Sequence, residues 1–220
     1  MADGLNYIPL KPGPGLAEHI ALQLEHQIVS GLLRSGDRVQ ETRVVGQLGV
    51  SRGSVRESFR VLERRRLIDV IPRRGAIVTS LSPSRVKDLT SALPILLTPV
   101  LNELVPDWTD KHAKSLGQAM QESESKFGCI NPASVLGAIC RLHPNTVYGE
   151  LIDDLIPTFD RIFSKLVRLN LSGVSVLDDI LKTKLIPAIE SGKVEESVHQ
   201  VFELCRSLER KYLETLKRTG

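Results

Sequence analysis

Hydrophobic residues recur with a helical period in a short stretch near the start of the chain, residues 39–48. Its apolar positions share one helical face and are Val44, Val45 and Leu48. Thr42 is a residue type that starts helices, and Gly49 is suited to a tight turn after the stretch. The pattern predicts a short amphipathic helix over 39–48 that ends in a turn.

A second amphipathic stretch begins directly after Val50, where Ser51 can cap a helix. Its apolar face consists of Val55, Phe59, Leu62 and, at its edge, Val61. The opposite face is rich in arginine. Two short apolar runs, 67–70 and 76–79, follow and are joined by Pro72, Arg73, Arg74 and Gly75. They predict a β-hairpin, which completes the order helix, turn, helix and hairpin.

A third helical pattern precedes these elements, over residues 15–33. Apolar residues step along one face at Leu16, Ile20, Leu24, Ile28 and Leu32. Gly31 and the pair Ser35 and Gly36 are suited to closing this helix, which would support the two shorter ones. The first 14 residues are rich in glycine and proline and lack the charged-then-apolar order of a secretory signal, so they predict a mobile arm.

Positive charge is concentrated in this part of the chain. Residues 34–74 contain eleven arginines, no lysine and five acidic residues, a local balance of +6, whereas the whole chain carries only +3. A guanidinium group can grip a phosphate or a guanine edge at two points, which an ammonium group cannot. The arginine bias therefore favours a nucleic-acid partner over a merely solvated face.

Residues 36–75 resemble the winged helix-turn-helix domain of the GntR family of bacterial transcription regulators. The matching residues are Gly36, Asp37, Leu48, Gly49, Val50, Ser51, Arg52, Val55, Arg56, Glu57, Leu62, Leu67, Arg73, Arg74 and Gly75. In that family the second short helix enters the major groove, and the wing approaches the minor groove. The resemblance implies that Arg52 and Arg56 are the main DNA contacts.

The same resemblance implies supporting DNA-binding residues around these two arginines. Ser51 and Ser54 would bond phosphates or cap the helix, Arg74 and Gly75 would form the wing tip, and Arg73 beside them would also bind DNA. The chain departs from the family pattern at three positions. Thr42 stands where an arginine contact is usual, with Arg43 next to it; Gly53 stands where a hydroxyl residue is common. Arg66 stands where glycine usually ends the helix, which requires a left-handed arginine or a longer helix.

From residue 84 onward the pattern is helical throughout. Six segments favour helix: 85–105, 109–127, 132–142, 146–171, 176–190 and 194–218. Ser82 is placed to cap the first of them, with Pro83 in its first turn. The sequence thus predicts a mostly α protein: an arm (1–14), a winged helix-turn-helix domain with a small β wing (15–80) and an all-α bundle (84–220).

This bundle resembles the effector-binding and dimerisation (FCD) domain of the FadR-like branch of the family. Many members of that branch hold a metal with one aspartate and three histidines. The corresponding positions here are Asn131 or Pro132, Leu136, Lys182 and Leu204, none of which is an ordinary metal ligand. We therefore expect no metal and no other cofactor in this bundle. The first bundle helix also lacks, over 89–104, an arginine that is common in the branch.

Several features of the bundle allow more than one interpretation. Four prolines fall inside predicted helices, Pro94, Pro99, Pro157 and Pro187; they either bend the helices around a cavity or mark helix ends. The apolar run 93–104 belongs to the core or faces a partner subunit. Trp108 lies at an interface or caps a pocket. Cys129, Cys140 and Cys205 are expected to be buried reduced thiols, with a redox sensor as the alternative.

These observations favour a cytoplasmic, homodimeric transcription regulator that binds a palindromic double-stranded DNA operator. A small organic effector in the bundle would change its DNA binding, although no effector-binding residue is assigned. No membrane span is expected, because no apolar stretch is long enough. A regulator whose bundle only dimerises is an alternative. An enzyme with a DNA-binding module is disfavoured, because no catalytic motif or catalytic residue is recognised.

Overall fold

The computed structural model describes residues 15–72, 74–169 and 173–219. Contacts divide the chain into two compact units, the first ending at Leu81 and the second beginning at Ser82. The expected N-terminal arm, residues 1–14, lies outside the described residues. The first unit combines helices with a small sheet, and the second is helical.

The first unit has a three-stranded sheet beside three helices. In chain order the elements are α1 (Leu16–Val29), β1 (Arg38–Val39), α2 (Glu41–Leu48), α3 (Arg52–Arg64), β2 (Ile68–Ile71) and β3 (Gly75–Val78). The strand order is β1-β3-β2, and both pairings are antiparallel. Val39 and Val70 lie opposite Ala76 from its two sides, so β3 is the central strand.

The core of the first unit lies mainly between α1 and α3, which pack against each other. Six apolar side chains of these helices are at most 1% exposed. They are Ile20, Leu24 and Ile28 on α1 and Val55, Phe59 and Leu62 on α3. Fully burying one such side chain contributes about 1.5 to 3 kcal/mol. This burial determines which face of α3 turns inward, and it leaves the arginine face in solvent.

The start of the predicted 39–48 helix was wrong. Val39 belongs to β1, where it pairs with Ala76 and is buried. The helix begins at Glu41 with Gln40 as its N-cap, and no side chain caps it, so Thr42 is its second residue and not its starter. A strand of two residues has no period of its own. Its partner, 37 positions away, is brought beside it only by the fold.

The predicted end of the first helix was also wrong. The helix ends at Val29 with Ser30 as its C-cap, before Gly31, which has a φ of 77°. Leu32 is therefore not on the buried face and is 54% exposed, whereas Leu33 is 3% exposed. The helical spacing that linked Leu32 to α1 does not apply once the chain has left the helix.

The second unit is helical throughout its described residues. The elements are α4 (Pro83–Leu104), α5 (Asp110–Phe127), α6 (Pro132–Leu142), α7 (Thr146–Arg168), α8 (Gly173–Asp179), a π-helical turn (Ile180–Leu185), α9 (Ile186–Glu190) and α10 (Val194–Thr219). The predicted fold class is confirmed. None of the described helices combines the length and apolarity needed to cross a membrane.

Local capping signals start several of these helices. The side chain of Ser82 accepts a hydrogen bond from the Arg85 N–H, with Pro83 in the first turn, as predicted. Thr109, Asn131 and Asn145 cap α5, α6 and α7 in the same way. The sequence misplaced two other boundaries. The 146–171 helix ends at Arg168, and the 176–190 helix begins at Gly173 and is interrupted by the π turn.

The helix prolines have two different settings. Pro94 and Pro99 lie inside α4 and Pro157 lies inside α7, so the interpretation that they mark helix ends was wrong for these three. Pro187 follows the π turn, where a wider helical turn accommodates a residue that has no N–H to donate. In the 93–104 run, five residues form core and Ile95 is 66% exposed; the core residues are Leu93, Leu97, Val100, Leu101 and Leu104.

Candidate nucleic-acid interface

Helix α3 begins with the serine cap that its sequence predicts. The Ser54 N–H donates to Ser51 Oγ at 3.1 Å, and the hydroxyl oxygens of the two serines lie 2.9 Å apart. Gly53 sits between them in the first turn. A Cβ on Gly53 would meet only Ser51 Oγ within 4 Å, at 3.7 Å, so this position does not require glycine.

The outward face of α3 presents three arginines at successive turns. Arg52, Arg56 and Arg60 are spaced four residues apart and are all exposed. Arg60 Nη1 donates to Glu57 Oε2 at 2.8 Å on the same helix. Arg60 was not among the predicted contacts, although its spacing from Arg56 placed it on the same face.

Arg56 is held by a residue of the neighbouring helix. Its Nε donates to Glu41 Oε2 at 3.0 Å; the side chain of Arg56 is 66% exposed and that of Glu41 24%. Within the described residues, no hydrogen bond or ion pair holds the guanidinium of Arg52. Helices α2 and α3 are therefore linked at the exposed surface through Arg56. The sequence alone gives no sign that Glu41 pairs with Arg56, because the two residues are 15 positions apart.

The first turn of α2 places two further predicted residues in solvent. Thr42 and Arg43 are exposed neighbours on this turn. The backbone N–H of Arg43 donates to the Gln40 carbonyl at 3.1 Å. Adjacent helical residues point about 100° apart, so the two side chains do not occupy equivalent positions on the helix.

The hairpin of β2 and β3 forms the predicted wing. Gly75 has a φ of 87°, and a Cβ there would lie 2.6 Å from the Val39 carbonyl oxygen. The packing of β1 on β3 is thus a sufficient reason for glycine at this position. Arg74 is exposed, and its N–H donates to the Ile71 carbonyl at 3.0 Å. Arg73 lies outside the described residues.

A left-handed arginine connects α3 to the wing. Arg66 has a φ of 59°, so the first of the two alternatives for this residue applies. Its N–H donates to the Glu63 carbonyl, and the Leu67 N–H donates to the Leu62 carbonyl, both at 2.9 Å. These two bonds form a Schellman motif, which normally has glycine in the left-handed position. The motif ends α3 and directs the chain into β2.

One arginine of the basic segment faces inward. The side chain of Arg65 is 12% exposed and forms ion pairs with Glu18 and Glu25 of α1, the second at 2.9 Å. Burial lowers the pKa of Arg65, but the two carboxylates outweigh this effect and raise it above its usual value. Arg65 therefore fastens α1 to the end of α3. Counting charges in the sequence did not distinguish it from the exposed arginines.

In the second unit, the positions that the resemblance to the FadR-like branch aligns with metal ligands do not form a metal site. Leu136 and Leu204 are fully buried, and Lys182 pairs with Glu124 at 2.9 Å and with Asp178 at 3.1 Å. Asn131 caps α6 and donates to Asp160 at 2.6 Å. Across the described residues, no group of three or more histidine, cysteine or acidic side chains is placed to hold a metal.

Two histidines and the tryptophan of this unit take part in hydrogen bonds or ring contacts. His112 completes a capping box with Thr109, and its ring lies 5.4 Å from that of Trp108. His143 is buried, with Nε2 3.1 Å from Glu103 Oε2. Its Nδ1 accepts a hydrogen bond from the Asn145 N–H, which ties it to the turn between α6 and α7.

A cleft of about 300 Å³ lies where α5, α6 and α7 meet. Its polar lining consists of Glu122, Ser123, Ser134, Arg141 and Asp160, and its apolar lining consists of Ala119, Ala133 and Ile156. This volume is within the range of small-molecule sites, which are about 300 to 1,000 Å³. The sequence did not predict this cleft, because its lining combines residues of three helices.

Comparison with known proteins identifies the first unit. Residues 16–78 match the family model of bacterial regulatory proteins, gntR family, from the first residue of α1 to the last residue of β3. The first unit is thus similar to a GntR-family domain. The matched range includes α2, α3 and the wing described above. No corresponding match identifies the branch to which the helical unit belongs, so the FadR-like assignment stays an expectation.

Curated relatives are similar over part of their length. The chain is 32% identical over 132 residues to an uncharacterised HTH-type transcriptional regulator, YdhC, of Bacillus subtilis, covering 60% of this chain and 57% of that protein. It is 29% identical over 102 residues to the gluconate operon transcriptional repressor of the same organism, covering 46% and 42%. The chain thus spans about half the length of these relatives.

Solved structures share the fold of the chain. The structure of E. coli McbR/YncC matches with a TM-score of 0.73 at 17% identity, covering 91% of this chain and 98% of that one. A GntR protein from Rhodococcus sp. RHA1 matches with a TM-score of 0.71 at 19% identity, covering 90% and 97%. At these identities the similarity establishes the arrangement of helices and strands.

Proposed function

We propose that this chain is a GntR-type transcriptional regulator that binds double-stranded DNA through α3 and the wing. The observation that carries the proposal is the two-sided character of α3 within a domain similar to those of the GntR family. One side is buried through Val55, Phe59 and Leu62, and the other presents Arg52 and Arg56 to solvent. An α-helix of this kind fits the major groove with its N-terminal residues toward the bases.

In this proposal the two arginines read the operator, and neighbouring residues position the domain on the backbone. Arginine forms two-point contacts with the O6 and N7 atoms of guanine. The residues assigned to phosphate or backbone contact are Ser51, Gly53, Ser54, Thr42, Arg43, Arg73, Arg74 and Gly75. Backbone contacts fix the register of a protein on DNA without reading its sequence.

The proposed regulator is a homodimer that recognises a palindromic operator, because two-fold symmetry in the protein matches two-fold symmetry in the DNA. A small organic molecule bound in the helical unit would control this binding. The cleft between α5, α6 and α7 supports this part of the proposal, since it has both polar and apolar walls. The effector must bind the DNA-incompetent arrangement more tightly than the DNA-competent one. Otherwise it does not shift the equilibrium between them.

A second candidate is a regulator whose helical unit only dimerises. It is favoured by Leu136, Lys182 and Leu204, which stand where metal-holding relatives have histidines and which form apolar core or ion pairs here. Selection from a metabolite library, read as a shift in melting temperature, separates the two candidates. A compound that stabilises the protein and weakens operator binding supports the effector; a library in which no compound stabilises a protein that still binds its operator supports the second candidate.

The DNA-binding proposal is tested by selecting genomic fragments with the purified protein and titrating the selected fragment at several salt concentrations. We expect enrichment of a short palindrome, with specific binding at least about a thousandfold tighter than binding to arbitrary DNA. Salt-sensitive binding without an enriched sequence would contradict sequence-specific regulation.

The contact assignment is tested with Arg52→Ala and Arg56→Ala. Each is expected to weaken operator binding by about 1 to 3 kcal/mol, because each removes a two-point contact. Arg206→Ala is the matched control, since it removes the same charge from an exposed position of α10. Wild-type affinity in both domain variants, or equal losses in the control, would show that the assignment is wrong.

A further inference from the structure

The ion pair between Glu41 and Arg56 has a geometry that matters for base recognition. The bond uses Nε of Arg56, at 3.0 Å from Glu41 Oε2. The two Nη groups lie at the other end of the guanidinium, and they are the donors that form a fork toward a guanine edge. A carboxylate bonded to Nε therefore restricts the direction of the fork without using the groups that read a base.

The three arginines of the exposed face of α3 differ in how they are held. Arg60 pairs with Glu57 on its own helix, and that carboxylate is 55% exposed. Glu41 belongs to α2 and is 24% exposed, so it links two helices from a less mobile position. Of these arginines, only Arg56 is tied to another helix by an ion pair within the described residues. It can therefore be oriented before DNA arrives, which lowers the entropy lost on binding.

We propose that Glu41 is a positioning residue that sets the base specificity of Arg56 without touching DNA itself. The inference rests on the proposed DNA-binding function. A carboxylate near a polyanion weakens binding to all DNA by repulsion. The bond from Glu41 offsets that cost on the correct sequence only, because it directs the Nη groups of Arg56 toward one base.

This role has a signature that a structural or purely electrostatic role lacks. Removing Glu41 takes away a negative charge, so binding to arbitrary DNA becomes tighter. Discrimination between the correct base and its three substitutes at the position read by Arg56 becomes weaker at the same time. If Glu41 only stabilised the first turn of α2 through the helix dipole, its removal would lower the affinities for all DNA by the same factor.

The experiment measures the binding of the wild type and its variants to the selected operator, to operators with each single base replaced, and to arbitrary DNA. In Glu41→Ala we expect discrimination at one base pair per half-site to fall about tenfold, with unchanged discrimination elsewhere. Glu41→Gln keeps an acceptor oxygen for Nε, so it should restore most of that discrimination. Glu57→Ala is the matched control and should leave every ratio as in the wild type.

A double-mutant cycle connects the effect to Arg56. In an Arg56→Ala background, Glu41→Ala should cause no further loss of discrimination, because the group that it positions is already absent. Circular dichroism spectra establish that each variant keeps the wild-type helix content. Equal changes on all DNA, or a loss that persists without Arg56, would overturn the inference while leaving DNA binding intact. A wild-type protein with no sequence preference would instead overturn the proposed function, and the inference with it.

Discussion

Each of the two units holds one arginine largely out of solvent, and the pKa values of these two arginines shift in opposite directions. In the GntR-type domain, Glu18 and Glu25 raise the pKa of Arg65 and outweigh its burial. In the helical unit, Arg161 of α7 is 4% exposed, and burial lowers its pKa to about 10. Tyr212 opposes this shift, whereas the nearby Arg85 and Arg168 add to it. Arg161 still carries its charge at neutral pH, so the fold bears the cost of burying it.

The difference shows that net charge per segment does not locate charge in a protein. The segment after residue 80 is nearly neutral in sequence, with 17 basic and 18 acidic residues. Nevertheless, Arg161, Lys165 and Arg168 fall on one face of α7 at helical spacing. Lys165 Nζ lies 4.8 Å from the centre of the Tyr212 ring of α10. The positive charge of α3 faces solvent, whereas part of the positive charge of α7 is buried inside the helical unit.

The largest expected change in stability comes from a substitution in the sheet of the first unit. The described residues of the helical unit contain no sheet. Gly75→Ala should destabilise the protein by about 2 to 4 kcal/mol, because it combines a left-handed alanine with a forced approach to the Val39 carbonyl. Denaturant titration measures the change. Gly53→Ala is the control and should cause no loss, since its Cβ has room. Equal stability of both variants would contradict the geometry of the β1–β3 contact.

Substitution of Arg65 and Arg161 gives the next largest change in stability. Arg65→Met should destabilise the protein by about 1 to 3 kcal/mol, because it leaves two partly buried carboxylates without their cation. Arg161→Met should destabilise the protein less than Arg65→Met, because it also removes the unfavourable burial that lowers the pKa of Arg161. Thermal and denaturant unfolding of the two variants compare them directly. A larger loss in Arg161→Met would reverse the contrast between the units.

The smallest effect concerns how helices end. The GntR-type domain has Arg66 in the left-handed position after α3, whereas the helical unit has Gly128 after α5, with a φ of 70°. Arg66→Gly should stabilise the protein by about 0.5 to 1 kcal/mol, and Gly128→Ala should destabilise it by about 1 kcal/mol. Chemical denaturation resolves both changes. Destabilisation by Arg66→Gly would mean that the arginine side chain contributes more than its backbone strain costs.

Local signals were reliable where one or two neighbouring residues determine the geometry. The turn at Gly49, the cap at Ser51 and the cap at Ser82 were all predicted and are all present. Sequence signals failed to predict structure that depends on residues distant along the chain. The strand at Val39 depends on Ala76, and the π turn before Pro187 interrupts a segment whose periodicity indicated one helix.

The candidate site shows the same division. Spacing placed Arg52 and Arg56 on one face of α3, and the buried face of that helix confirms their exposure. The composition of the segment gave no means to separate Arg65, which is held in ion pairs, from the arginines in solvent. Likewise, the sequence shows Glu41 only as an acidic residue in a first helical turn, and its ion pair with Arg56 depends on the fold.

The sequence by itself determined the order of elements, the helical nature of the second unit and the arginine face of α3. These follow from periodicity, capping and turn residues, whose energetics act within a few positions along the chain. The tertiary structure alone decided which charges are paired, buried or held in place, as with Arg65, Arg161 and Arg56. Those outcomes depend on burial and on partners 15 or more positions away, because electrostatic energies are set by distance in space and by exclusion of water.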